Sequence, residues 1–354
     1  MNILNAVYGD STGGRWSATL KTARLLADKG HTVTLLIDPA DLPNVPAGFV
    51  GPRIKVETLA NSGHYDLIAS WRASRLIRAR SIDAVIGHSG RAIYMLKRAA
   101  PEGVPVIAFN HSHNIKRTLK ADAFFCITPY MKQIVDAATG GAKPSFVISN
   151  AVSIPPEETL ADPAGGVFSI GAIGRMVPNK GFRHLLDALA QLGADGVAFR
   201  AQLAGDGEDR AALQQQAREL GIADRVEFPG WLDPAGKQAF FNSLDVVCFT
   251  SEWETQGIVV LESFAWRKAL IGTNIDGPSS CYVDGETALV VPPADSAALA
   301  AALRRLYDDP ALRRRLAANG RDEAIRRYSN EAISELLDRS VDRLVAEARK
   351  ERVG

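Results

Sequence analysis

The chain has 354 residues, 46% hydrophobic and 23% charged, with a formal net charge of +1. That length exceeds one ordinary core and suits two soluble domains of roughly 150 to 180 residues. No apolar run reaches the roughly 18 residues of a membrane helix, and Cys126, Cys248 and Cys281 have neither disulfide nor metal-ligand spacing.

Along the first half, short apolar strands alternate with helical stretches. Strands are predicted at 2–8, 32–37, 82–87, 104–110, 123–128 and 145–149. The first helix runs from Gly13-Gly14 to the Lys29-Gly30-His31 turn, with others around 64–81, 90–99 and 129–138. The Pro- and Glu-rich stretch from Ser153 to Gly166 reads as a linker. Alternation then restarts, with strands at 167–174, 198–204, 226–228, 245–250, 270–273 and 288–291. Helices at 181–193, 207–220 and 234–242, and one opened by Gly257, separate them. Residues 295–349 are almost wholly helical, broken at Asp308-Asp309-Pro310. The pattern predicts an α/β protein with two doubly wound parallel sheets, whose ligands sit at the carboxyl ends of strands.

The charge is divided between the halves. Residues 1–150 carry 18 Lys/Arg against 10 Asp/Glu, and residues 151–354 carry 23 against 30. The basic half is expected to face something anionic. Without a nucleic-acid motif or basic-aromatic interleaving, nucleic acid is not the expected partner. The N-terminus is a short strand without the basic flank of a signal peptide, so a cytoplasmic location is expected.

The most informative stretch runs from Ser251 to Ser263. It places Glu254 on a loop at the end of a strand, Gly257 at the opening of a helix, and Glu262 in that helix's second turn. The N–H groups of a helix start favour a phosphate. Carboxylates on either side can accept hydrogen bonds from sugar hydroxyls. A phosphate centre with hydroxyls at both ends describes a nucleotide sugar.

Gly174-Arg175-Met176-Val177-Pro178-Asn179-Lys180-Gly181 follows the first strand of the second half and opens a helix. Arg175 and Lys180 there can converge on a diphosphate, or be two surface cations beside a turn. The loop Asp10-Ser11-Thr12-Gly13-Gly14-Arg15 lets backbone approach a ligand at Gly13 and Gly14, but lacks the three-glycine dinucleotide fingerprint. Gly205-Asp206-Gly207 and Phe228-Pro229-Gly230-Trp231 are strand-end turns that either border a base or are plain turns. Among the histidines, His31 at a helix end and His64 and His184 on helix faces are read as structural. His88 and His111 each end an apolar strand, and His111, with His113 nearby, is the preferred site residue.

Together these residues resemble the retaining family 4 glycosyltransferases of GT-B architecture. The matching motifs are the Gly13-Gly14 loop, Gly30-His31, His111, Gly174-Arg175…Lys180-Gly181, Gly205-Asp206-Gly207, Phe228-Pro229-Gly230 and the Glu254…Glu262 pair. The resemblance implies two Rossmann-like domains facing a central cleft. An acceptor-binding domain would span 1–155 and a nucleotide-sugar-binding domain 166–330, with a helix at 331–354 returning to the first domain. It implies that Arg175 and Lys180 hold the donor diphosphate of a UDP- or GDP-sugar and that Glu254 contacts its sugar. Glu262 would bind the ribose, the N–H groups of 257–259 would cap the phosphate, and His111 would stand beside the reacting sugar. No metal or cofactor is implied, because two cations and a helix start supply the neutralising charge. Thr255-Gln256 stands where the family usually has Gly-Phe, Asn179 where an acid commonly precedes the lysine, and 276–280 lacks part of the usual pattern.

The resemblance implies a glycan or lipid-linked acceptor, as in bacterial envelope polysaccharide, lipopolysaccharide or glycolipid synthesis. Arg72, Arg75 and Arg78 at helical spacing beside Ile68 and Trp71, with Lys116, Arg117 and Lys120, form either a solvated face or a contact with an anionic membrane. Competing readings are a nucleotide-sugar epimerase, a phosphorylase, a sugar-binding protein or a catalytically dead scaffold.

Overall fold

The protein is represented by a computed structural model that describes residues 1–9, 13–161 and 166–351. It divides into one unit of Met1–Ala151 with Asn330–Gly354 and a second of Val152–Ser329.

The first unit is built from β1 (Asn2–Ala6), α1 (Gly14–Asp28), β2 (Thr32–Ile37), β3 (Ile54–Thr58), α2 (Leu67–Ala79) and β4 (Ala84–Gly87). There follow α3 (Gly90–Ala99), β5 (Val106–Asn110), β6 (Ala123–Cys126), α4 (Pro129–Thr139) and β7 (Ser145–Val147). All strand pairs are parallel, in the order β3-β2-β1-β4-β5-β6-β7. Helices cover both faces of such a sheet, so its central strands are unbroken apolar runs: β4 and β5 are buried throughout.

Local chemistry sets the helix starts. Asp66, Ser89 and Thr128 cap α2, α3 and α4 by accepting from Ala69, Ala92 and Met131 N–H, and Pro129 takes the first turn of α4. The Asp66 cap corrects one expectation, because it starts α2 at Leu67 and leaves His64 in the preceding turn. Strand β3 is absent from the sequence reading. As an edge strand it is mostly unburied and interleaves Lys55 and Glu57 with Ile54 and Val56, so it presents no apolar run.

The second unit comprises β8 (Phe168–Ile173), α5 (Phe182–Ala194), β9 (Phe199–Ala204), α6 (Arg210–Glu219), β10 (Val226–Gly230), α7 (Pro234–Asn242) and β11 (Val246–Phe249). It continues with α8 (Ile258–Ala265), β12 (Ala269–Thr273), β13 (Leu289–Val291), α9 (Ser296–Asp308) and α10 (Pro310–Glu323). The parallel order is β10-β9-β8-β11-β12-β13. Phe228-Pro229-Gly230, read as a turn, is the end of β10 instead. Proline is tolerated there because β10 is an edge strand whose register slips between Glu227 and Gly230. The predicted break at 308–310 is a helix junction in which Asp309 caps α10 and Pro310 opens it.

The described part of the predicted linker is anchored to the second unit. Arg321 donates to Glu157, and also to the carbonyls of Pro155 (2.8 Å) and Ala265 (2.5 Å). Asp162, Pro163, Ala164 and Gly165 lie outside the described residues, as do Asp10, Ser11 and Thr12 of the first loop. The last helix, α11 (Asn330–Glu351), belongs to the first unit, where it packs on α1 and adds Ile333, Leu337, Val341, Leu344 and Val345 to the core. Lys29 pairs with Glu331 at 2.9 Å and His31 with Asp338 at 2.6 Å along that contact.

Candidate active site

Each sheet reverses its winding once, between β1 and β4 in the first unit and between β8 and β11 in the second. Loops leaving the carboxyl ends of such a strand pair diverge and open a crevice, where ligands of doubly wound sheets bind.

In the second unit the diverging loops are 174–181, after β8, and 250–257, after β11. Backbone and side chain lace them together. Thr250 Oγ1 donates to Lys180 O at 2.8 Å, Glu252 N to Asn179 O at 2.8 Å, and Asn179 Nδ2 to Trp253 O at 3.0 Å. Gly181 is required by this contact: its φ is +66°, and a β-carbon there would lie 2.1 Å from the Thr250 carbonyl oxygen. The lacing brings Lys180 onto Glu254, whose carboxylate accepts directly from the ammonium. Burial, and then the Arg175 charge beside it, pushes Lys180 down to about 8. Arg175 is exposed, and its guanidinium makes no hydrogen bond or ion pair among the described residues.

Gly257 has a φ of +76°, and among the described residues no side chain caps the start of α8. The first-turn N–H groups of Ile258 and Val259 are therefore left for another acceptor. Glu262, one turn further on, accepts from Lys237 of α7 at 2.7 Å. Sequence reasoning missed Lys237, because nothing in a lone lysine on a neighbouring helix marks it as a partner. Arg210 was missed as well; it donates to Phe228 O at 3.0 Å and pairs with Asp206 at 3.4 Å, joining the loop after β9 to the end of β10. Beyond Gly230, which ends edge strand β10, Trp231 is two-thirds exposed.

His184, read as structural, joins Arg183 in holding Glu252, at 3.1 and 2.8 Å. That arrangement stiffens the 250–257 loop from outside. Among the described residues, no group of three or more His, Cys, Asp or Glu could hold a metal ion.

In the first unit, His88 directly follows β4 and His111 directly follows the neighbouring β5. Their rings meet at 2.8 Å, His88 Nδ1 to His111 Nε2, and His88 Nε2 lies 2.8 Å from Asn5 Oδ1 on β1. Burial pushes the His88 imidazole well below its usual range, with His111 and Arg15 acting in the same direction. Asn110, beside His111, is buried, and its Nδ2 has no hydrogen-bond partner among the described residues. Gly13 and Gly14 form the start of α1, and among the described residues a β-carbon at Gly14 would meet nothing within 4 Å.

The chain was compared with known proteins. Residues 164–323 match the family described as glycosyl transferases group 1, and residues 12–154 match glycosyltransferase family 4. The lipopolysaccharide core biosynthesis glycosyltransferase LpsD of Rhizobium meliloti (strain 1021) is 31% identical over 77% of this chain and 80% of its own length. LpsE of the same strain, with the same description, is 33% identical over 60% of this chain and 62% of its own. Among solved structures, Anabaena HepE in complex with UDP superposes with a TM-score of 0.82 at 20% identity, covering 97% of this chain and all of its own. The fold is thus the GT-B arrangement of two Rossmann-like domains.

Proposed function

The chain belongs to the family 4, group 1 glycosyltransferases, and from that premise we propose that it moves a sugar from a nucleotide-sugar donor to a glycan or lipid-linked acceptor. The observation that carries the reading is the grouping of Arg175, Lys180 and Glu254 on two laced loops with the start of α8 and its Glu262 directly following. Arg175 and Lys180 bind the diphosphate with the N–H groups of α8, Glu254 takes hydroxyls of the donor sugar, and Glu262 takes the ribose. UDP is the nucleotide we favour, since HepE was solved with UDP and with UDP-glucose. Lipopolysaccharide core assembly is the setting we favour, since LpsD and LpsE are named for it.

We assign retention of the anomeric configuration. The bond from the sugar's anomeric carbon to the diphosphate breaks, and its electron pair stays on the phosphate oxygen. The acceptor hydroxyl oxygen bonds the same face of that carbon, and its proton passes to the departing phosphate. The positive charge of Arg175, Lys180 and the helix start stabilises the leaving group in place of a metal ion. His111 is assigned to the reacting sugar.

Incubating the protein with UDP- and GDP-sugars and lipopolysaccharide core fragments tests this, with product stereochemistry read by NMR. Transfer with retention, unaffected by EDTA, is expected; nucleotide release that ignores acceptor, an inverted product or EDTA-sensitive transfer rejects the corresponding part.

The acceptor side supports a membrane reading. Tyr65, Leu67, Ile68 and Trp71 at the start of α2 are each more than half exposed, beside exposed Arg72, Arg75 and Arg78. Arg75 lies over the Trp71 ring at 5.1 Å. Aromatic and aliphatic groups ringed by arginine suit the headgroup layer of an anionic bilayer, which we propose as the partner of this face. Vesicle flotation should depend on anionic lipid and fall on reversing the three arginine charges; equal flotation of the reversed variant removes the idea. Among the described residues, no helix is long and apolar enough to cross a membrane.

A further inference from the structure

We infer that Asn5 and His88 are positioning residues that fix which nitrogen of His111 carries a standing proton. This deepens the proposed function and rests on its assignment of His111 to the reacting sugar.

The argument follows hydrogen-bond direction from the core outward. Asn5 is fully buried, and its side-chain amide donates to the Thr19 carbonyl at 2.9 Å. A carbonyl accepts and never donates, so the amide orientation is set, and Asn5 Oδ1 is the atom that faces His88. An amide oxygen also only accepts. The proton of the 2.8 Å contact therefore sits on His88 Nε2.

His88 is 3% exposed. Among the described residues, the groups shown acting on its ring are the Asn5 amide, the Phe109 ring with its centroid at 5.1 Å, His111, and Arg15 from α1. None of these is an anion, so a second proton on His88 would be a buried cation facing another cation. His88 Nδ1 is thus bare and accepts, and the 2.8 Å contact is completed by a proton on His111 Nε2. The standing proton of His111 is then the one on Nε2. Phe109 stacked at 4.8 Å holds the ring plane.

The fold makes this chain possible at one place. Asn5 pairs across from Ile86, one residue before Gly87, on the two strands where the winding reverses. His88 and His111 directly follow adjacent strands, since β4 pairs with β5. Three polar side chains in a row satisfy one another in a single direction only, so the core end dictates the outer end. The His111 ring is only partly buried, so it is the member of the row that lies nearest the strand-end surface.

Long-range 1H–15N spectra of histidine rings in the full chain test the inference. Six histidines are few enough to assign by single substitution. Both His88 and His111 are expected to carry the Nε2 proton in the wild type. In His88→Leu the His111 resonances should move to a tautomer mixture, and kcat should fall roughly 10- to 100-fold with donor KM held. His88→Asn offers an amide oxygen in place of Nδ1 and should restore the tautomer and most of kcat. A wild-type His111 protonated at Nδ1 with bare Nε2 overturns the inference, as does a folded His88→Leu with wild-type kcat where His111→Ala has lost it. If His88→Leu does not fold, the wild-type spectrum and His88→Asn decide. A His111→Ala chain with wild-type transfer would instead remove the site assignment and leave the tautomer result standing.

Discussion

Lys180 and Glu254 share a hydrogen bond although they stand on different strand-end loops, one after β8 and one after β11. The cation assigned to the diphosphate is thereby tied to the carboxylate assigned to the donor sugar. One charge-assisted contact contributes about 1.5–3 kcal/mol. Lys180→Ala is therefore expected to lower kcat/KM about 10- to 100-fold. Steady-state rates at saturating acceptor check this, and a rate within about twofold of wild type rejects the role.

Donor binding should weaken as pH rises through about 8, where Lys180 loses its charge. A bound diphosphate favours the ammonium, so binding takes up protons near that pH. Titration calorimetry of UDP in buffers of different ionisation enthalpy reads this directly; no uptake counts against it. The folding linkage has the opposite sign. Lys180 titrates near 8 in the folded chain against 10.5 for an ordinary lysine, so the unfolded chain binds more protons between those values. Over that window this group favours folding more as pH rises, so weakened binding would not be unfolding.

Glu262 is gripped by Lys237 at 2.7 Å through one carboxylate oxygen, leaving its other oxygen to a ribose hydroxyl. Glu262→Ala should raise donor KM about tenfold with kcat little changed, the signature of uniform binding. Lys237→Met should do the same more weakly. Loss of kcat at constant KM in either variant would place Glu262 at the reacting bond instead.

Gly181→Ala puts a methyl group 2.1 Å from the Thr250 carbonyl oxygen at a backbone angle that favours glycine. The two loops must separate, carrying Lys180 away from Glu254. Donor affinity should drop at least tenfold, a loss of about 1.4 kcal/mol or more, while far-UV circular dichroism stays native. Unchanged UDP affinity would show that the lacing does not position the lysine.

Arg321→Leu removes the donor from the carbonyls of Pro155 and Ala265 and from Glu157. One buried and one half-buried carbonyl without donors cost about 3 kcal/mol together. For a unit of this size Tm should fall by roughly 6 to 12 °C. Calorimetry showing a shift under about 2 °C would mean that water replaces the guanidinium.

What the sequence disclosed was what is local. Glu254, Gly257 and Glu262 lie within nine residues, so alternation alone sets them on one strand, loop and helix. The break at Asp308-Asp309-Pro310 was legible because a cap and a proline announce themselves. The edge strand β3 was not, since half its side chains face water. Partners across the fold were hidden too. Lys237 and Glu262 are 25 residues apart and Asn5 and His88 are 83 apart, and only the order of strands brings each pair together. His88 was recognisable as a strand-end residue, but its neighbours, and hence its proton, were not.

The return of α11 to α1 gives the polypeptide an assembly order. Ile333, Leu337 and Val341 complete a core begun by Ile3 and Leu4, so the N-terminal lobe stays open on one side while the ribosome makes everything between. The inserted lobe has its whole sequence first, which sets it up to finish folding while its older neighbour waits for α11 to leave the exit tunnel.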